Sequence, residues 1–151
     1  MFSGNNAERV NVVGILISSK CRKCLKGFNP ISEEIITARF YSRFRNITVI
    51  QCCAPTDPSD DTANDSFYCQ LEGVLSNRPK DDIVVILVDF NAKIANHNNG
   101  VQTIMGWHVL ATSRSNNGER LIEFCAAQNF FFGGTRFPHQ DRERCGNFDF
   151  K

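Results

Sequence analysis

Asp82-Ile-Val-Val-Ile-Leu-Val-Asp-Phe-Asn-Ala-Lys93 is the stretch whose reading decides the fold. Ile83 to Val88 is apolar and largely β-branched, long enough for a strand and too short for an ordinary helix. A run of this kind, apolar without alternation, reads as a central strand buried on both faces of a layered α/β domain. It ends on a carboxylate, Asp89, with Asn91 two residues on. In an extended chain, residues i and i+2 leave on the same side. Asp89 and Asn91 would then aim at one point beyond the strand's carboxyl end, where ligands of α/β sheets often sit. The carboxylate can orient a water or a metal-bound water, and the amide can hydrogen-bond a phosphate oxygen. The alternative is a strand ending in a polar turn, since Asp and Asn are common turn residues.

Upstream, residues 35–40 and 47–53 read as two strands joined by the short basic connection 41–46, an antiparallel hairpin. A helix follows from Asp61 or Thr62 to about Ser76, with Phe67, Tyr68, Leu71, Val74 and Leu75 on one face. Strand, helix and the strand 83–88 in that order suggest a sheet covered by helices. Residues 10–18 are strand-like, residues 1–9 and 27–30 loop- or turn-like. Between them Lys20, Arg22, Lys23 and Lys26 crowd into seven positions, a cluster that can touch phosphates or form a solvated turn. Downstream, 97–100 reads as a loop, 116–118 as a turn, 119–128 as an amphipathic helix through Leu121, Ile122 and Cys125, and 130–132 as a short strand. Trp107 and His108 fit packing or binding equally.

Length and composition suit one globular domain: 151 residues, 42% hydrophobic and 22% charged. A net charge of +1 gives no whole-chain attraction to nucleic acid or an acidic membrane, so any such affinity must be local. No apolar run approaches the roughly 20 residues that cross a bilayer. The seven cysteines form no framework and follow no secretory signal, so the expectation is reduced thiols in a soluble intracellular protein. Cys21-x-x-Cys24 lacks the second pair of a structural zinc site. The chain has no Walker loop, dinucleotide fingerprint, His-Glu-x-x-His motif or serine nucleophile elbow.

Several separated stretches carry a resemblance. Ile31-Ser-Glu-Glu-Ile-Ile-Thr-Ala-Arg-Phe40, Ile47-Thr-Val-Ile-Gln-Cys-Cys-Ala-Pro-Thr56, Asp89-Phe-Asn-Ala-Lys93, Asn117-Gly-Glu-Arg-Leu121 and Gly133-Gly-Thr-Arg-Phe-Pro-His139 occur in this order. Together, over about residues 10–139, they resemble the endonuclease/exonuclease/phosphatase family. The resemblance is closest to the endonuclease domains of non-LTR retrotransposons and the craniofacial development protein 2-like sequences derived from them. It implies a partial four-layer α/β sandwich, two mixed sheets flanked by helices, lacking its first and last strands. It also implies hydrolysis of DNA phosphodiester bonds with Mg²⁺ or Mn²⁺. Asp89 would orient the attacking water, Asn91 would contact the scissile phosphate, and no small-molecule cofactor or membrane would be involved.

The resemblance places the family's metal-binding Glu upstream of this chain and its Ser-Asp-His motif downstream. Val88 stands where the family has Gly, and Cys53 where it has Tyr, a change that removes a phenol's reach and hydrogen bond. His97, His108 and His139 match no family position. The expectation is therefore a fragment of a retrotransposon-type endonuclease with little or no activity in isolation, in the cell and with the nucleus as one destination. The second hypothesis is a domesticated, non-enzymatic remnant that binds protein or nucleic acid. If it binds DNA, Lys20, Arg22, Lys23, Lys26, Arg39, Arg43 and Arg45 are the expected phosphate contacts, and affinity should fall steeply with salt. No residue supports a phosphatase on this fold.

Overall fold

A computed structural model describes residues 2–3, 13–55, 61–95, 100–108 and 113–138. His97, His139 and Cys145 lie outside these residues. The chain falls into two compact units, Met1–Asn91 and Ala92–Lys151.

In the first unit the elements are β1 (Phe2–Ser3), β2 (Val13–Gly14), the single-turn helix α1 (Ser19–Arg22), β3 (Leu25–Pro30), β4 (Ile35–Phe40), β5 (Ile47–Cys53), α2 (Asp61–Ser76) and β6 (Ile83–Asp89). The four long strands form one mixed sheet in the order β3-β4-β5-β6, the first two pairs antiparallel and the last parallel. The α/β class and the 35–53 hairpin stand as the sequence suggests. The helix over 61–76 also stands, and it supplies the crossover that a parallel pair requires. β5 shows the period of a strand, burying Thr48, Ile50 and Cys52 while the residues between them are half-buried.

Both faces of β4 are covered, since its neighbours Ile35 and Ile36 point to opposite sides and are both fully buried. One cover is α2, which seats Phe67, Tyr68, Leu71 and Leu75. Its outer flank forms a groove with Thr37, Arg39 and Thr48, residues that share a face with Ile50 by register. The antiparallel ribbon β1–β2 passes near β4 and β5. Both are interior strands, so the ribbon stacks on a face and does not extend the sheet.

Four local readings change. Residues 2–3, expected as loop, form β1, and of the expected strand over 10–18 only Val13–Gly14 is strand among the described residues. Residues 27–30 belong to β3, held to β4 through the pairs Gly27–Arg39 to Pro30–Ile36. Their composition favours a turn, but ladder pairing with β4 outweighs local propensity. The run 83–88 is a strand at the sheet edge among the described residues, not a central one. Ile83, Val85 and Leu87 are exposed, whereas Val84, Ile86 and Val88 are half-buried. A run with no polar alternation looks identical whether its second face is covered or bare. An apolar edge without Pro, Lys or bulge invites pairing with other chains. The 151-residue protein is thus expected to self-associate at micromolar concentration, and Val85→Lys to reduce this. Sedimentation showing a monomer for the unmodified protein would contradict that.

Where β6 begins, Asp82 ties three strands together. Arg39 Nε and Nη2 donate to its two carboxylate oxygens at 2.6 and 2.8 Å, and Thr48 Oγ1 donates at 2.7 Å. The Asp82 side chain is 2% exposed. The Arg39 hydrogen bonds, with a further one from Thr48, hold its carboxyl below the usual range against the effect of burial. A depressed folded pKa stabilises above the unfolded value, about 3.9, and that contribution is lost as acid protonates the folded group. Glu34 works in the opposite sense, because burial and then Glu33 raise its pKa. Comparison with Asp82→Asn isolates the first effect. The melting temperature should fall further below pH 4 in the unmodified protein than in Asp82→Asn; equal acid sensitivity would refute the assignment.

In the second unit, α3 (Asn116–Gln128) is capped by Ser115, so the turn expected over 116–118 is the first turn of the helix. Ser115 Oγ accepts from the Gly118 N–H at 3.2 Å and from the Lys93 N–H at 3.1 Å, while Ser115 N–H donates to the Lys93 carbonyl at 3.0 Å. A side chain at Gly118 would put its Cβ 2.1 Å from the Lys93 carbonyl oxygen, so only glycine admits this approach. α3 ends at Asn129, whose φ of 56° is left-handed, and the Phe130 N–H closes the end on the Cys125 carbonyl at 2.9 Å. Residues 130–132 form no strand. Phe130 instead stacks on Phe124, with ring centroids 6.3 Å apart, and a 3₁₀ turn follows over Gly133–Arg136. An aromatic run satisfied by helix packing has the same composition as a strand. Trp107 and His108 are exposed.

Candidate functional site

The parallel pair brings the carboxyl ends of β5 and β6 side by side, with Cys53 opposite Asp89. Beyond this point the two chains are laced together. Ala54 N–H donates to the Asp89 backbone carbonyl at 2.9 Å, and Asn91 Nδ2 donates to the Ala54 carbonyl at 2.9 Å. Asn91 N–H donates to Asp89 Oδ1 at 3.0 Å. Asn91 has a φ of 45°, a left-handed conformation that Asn tolerates better than most residues.

Asp89 and Asn91 do come together, for a different reason than strand alternation. The backbone leaves the extended region at Asn91, and the bond between its N–H and the Asp89 carboxylate makes an Asx-type turn. That turn fixes one carboxylate oxygen and leaves the exposed group open to solvent. One hydrogen of the Asn91 amide is committed to Ala54, and the second remains to be donated.

Cys53 and Glu34 complete the surroundings, and the sequence reading gives Glu34 no place here. Cys53 N–H donates to the Glu34 carbonyl at 3.0 Å, so β4 begins beside this strand end. Burial raises the Cys53 thiol pKa, and the charges of Asp89 and Glu34 raise it further. The thiol is therefore protonated at neutral pH, and its neighbours make this end of the sheet acidic. Antiparallel pairing of β4 with β5 is the available signal for Glu34, since it puts the residue before one strand next to the end of the other.

Mg²⁺ and Mn²⁺ favour octahedral shells of oxygen, commonly one or two carboxylates with water and substrate phosphate. Among the described residues, no three His, Cys, Asp or Glu side chains gather into a metal-holding group. Asp89, exposed at this strand end, could supply one such carboxylate. All six described cysteines, the Cys21 and Cys24 pair included, are unbridged.

The basic residues lie elsewhere. Lys20, Arg22, Lys23 and Lys26 are exposed around α1 and the start of β3, and Arg43 and Arg45 are exposed in the β4–β5 loop. Tyr41 N–H donates to the Cys24 carbonyl at 2.7 Å, which joins the two groups at one end of the sheet. β5, seven residues long, starts at that end and finishes at Asp89's, a span of about 20 Å. Arg39 is set apart from the others, because its guanidinium is engaged by Asp82. No described helix is long and apolar enough to cross a membrane.

No family model matches the chain, and no solved structure matches it. It is 30% identical over 141 residues to craniofacial development protein 2 of Bos taurus, an alignment covering 93% of this chain and 23% of that protein. It is 29% identical over 141 residues to craniofacial development protein 2 of Tragulus javanicus, covering 93% and 24%. Nearly the whole chain is thus similar to craniofacial development protein 2, and it spans about a quarter of the length of these curated relatives.

Proposed function

We propose that this chain is the middle of a divalent-metal-dependent endonuclease domain of retrotransposon type, acting on DNA phosphodiester bonds, and that it does not cleave DNA in isolation. The observation that carries the reading is the Asx-type turn at the end of the parallel pair, which presents an oriented, exposed Asp89 carboxylate beside Asn91. The open side of that carboxylate suits accepting a proton from, and so aligning, a water that attacks phosphorus. The remaining Asn91 N–H suits a non-bridging phosphate oxygen, where negative charge builds in the transition state. A divalent cation, when bound, would polarise the phosphoryl oxygen. Two acidic groups, Asp89 and Glu34, each act on Cys53 at this end of the sheet and would repel a phosphate that arrives without one.

Supercoiled plasmid incubated with the 151-residue protein in Mg²⁺ or Mn²⁺ should therefore stay intact. Nicking that disappears in Asp89→Asn would overturn the claim that the isolated chain is inactive. The second reading, a non-enzymatic binding module, is favoured by one observation: the cations collect at the far end of the sheet, away from the acidic strand end.

A further inference from the structure

The end of the sheet opposite Asp89 combines charge with exposed aromatic rings. Tyr41 is 57% and Phe44 88% exposed, both in the β4–β5 loop. Each ring has a cation on one face: Lys26 Nζ lies 5.0 Å from the centroid of Tyr41, and the Arg43 guanidinium carbon 5.5 Å from that of Phe44. Lys26 reaches its ring from an irregularity in the ladder. Register shifts between Leu25–Phe40 and Gly27–Arg39, a bulge that re-aims the side chain between them. The turn formed by α1 adds Lys20, Arg22 and Lys23 at the same end.

Counter-charge there is sparse. Asp82 and Arg39 neutralise each other, and Asp81 is exposed next to Lys80 at the start of β6. The overall charge of +1 therefore conceals a strong local excess of cations.

We propose that Tyr41 and Phe44, with the cations of residues 20–26 and with Arg43 and Arg45, form a binding surface for single-stranded nucleic acid. An exposed ring offers a free face on which an unpaired base can stack, and a cation beside it meets the adjoining phosphate. A duplex hides its base faces, so it can use the charges but not the rings. Two isolated rings also give far less apolar area than the continuous face of a membrane-bound amphipathic helix. At about 20 Å from Asp89, the surface stands apart from the strand-end site and does not depend on the nuclease reading.

The test is fluorescence anisotropy of a labelled oligothymidylate of about 20 nucleotides, longer than one site on such a surface, with the 151-residue protein in EDTA. The chelator removes any cation-dependent binding near Asp89. Six phosphate contacts to a single strand give a log–log salt slope of about −4. The triple variant Lys20→Gln, Arg22→Gln, Lys23→Gln should reduce it to about −2, by the same proportionality. Tyr41→Ser and Phe44→Ser should each weaken binding about tenfold with the slope retained. Photocrosslinking of a bromodeoxyuridine-substituted oligonucleotide to the unmodified protein should map to Tyr41 or Phe44, a readout independent of variant folding. The proposal is overturned by crosslinks confined to the Asp89 end, by equal or tighter binding of the duplex, or by a slope unchanged in the triple variant. Binding to phosphatidylserine vesicles with none to the oligonucleotide would overturn it too.

Discussion

Phe67→Ala should destabilise the first unit by about 3–5 kcal/mol. Phe67 is fully buried on the inner face of α2 and meets Tyr68 edge-on, with centroids 5.3 Å apart and planes at 80°. Leu71 and Leu75 continue the same buried stripe one and two turns on. Truncation removes the ring's transfer free energy and leaves a cavity between helix and sheet that a rigid strand layer cannot close. Folded proteins of this size are stable by only about 5–15 kcal/mol, so the loss is a large share of the total. Val74→Ala, at a half-buried position on the same helix, should cost markedly less. Urea denaturation measures both: a lower midpoint with an unchanged slope is expected for Phe67→Ala. A loss below about 1 kcal/mol would mean that α2 is not seated as described.

The elements legible from sequence are those with strong periodicity. Residues 61–76 repeat apolar positions at helical spacing, and 35–40 and 47–53 are short β-rich runs separated by a short loop; both readings hold. What periodicity does not disclose is which layers cover which faces. Ile83 to Val88 has the composition of a doubly buried strand, yet its position at the sheet edge depends on what lies beside it. Gly27 to Pro30 has the composition of a turn and joins β3 through pairing, a non-local effect. The pairing of Asp89 with Asn91 is visible in the sequence, but the left-handed backbone at Asn91 that creates it is not.

The basic residues are also visible, though only one at a time. Tyr41-Ser-Arg-Phe-Arg45 alternates rings and guanidinium groups within a loop that, taken alone, is merely a basic connection. Its significance comes from folding, which sets it against Lys20 to Lys26 through the Tyr41–Cys24 backbone bond. Arg39, indistinguishable from its neighbours by sequence, is separated from them by Asp82, 43 positions away.

Asp89→Asn should have the largest effect on chemistry, and its measurement tests the central claim most directly. The informative protein is a chimera in which the 141 aligned residues of this chain replace their counterparts in the bovine relative, so that the strand end is set within a longer chain. Asparagine keeps the size of Asp89 and can still accept the Asn91 N–H, but it loses the charge that the proposed role, orienting and activating water, requires. Removing one electrostatic contact of this kind typically costs about 100- to 1,000-fold in rate. The expected result is that the chimera nicks supercoiled plasmid in Mg²⁺ and that Asp89→Asn lowers the rate by that factor, with an unchanged melting temperature. A chimera that folds but does not nick, or that nicks equally well with asparagine at position 89, would contradict the nuclease reading.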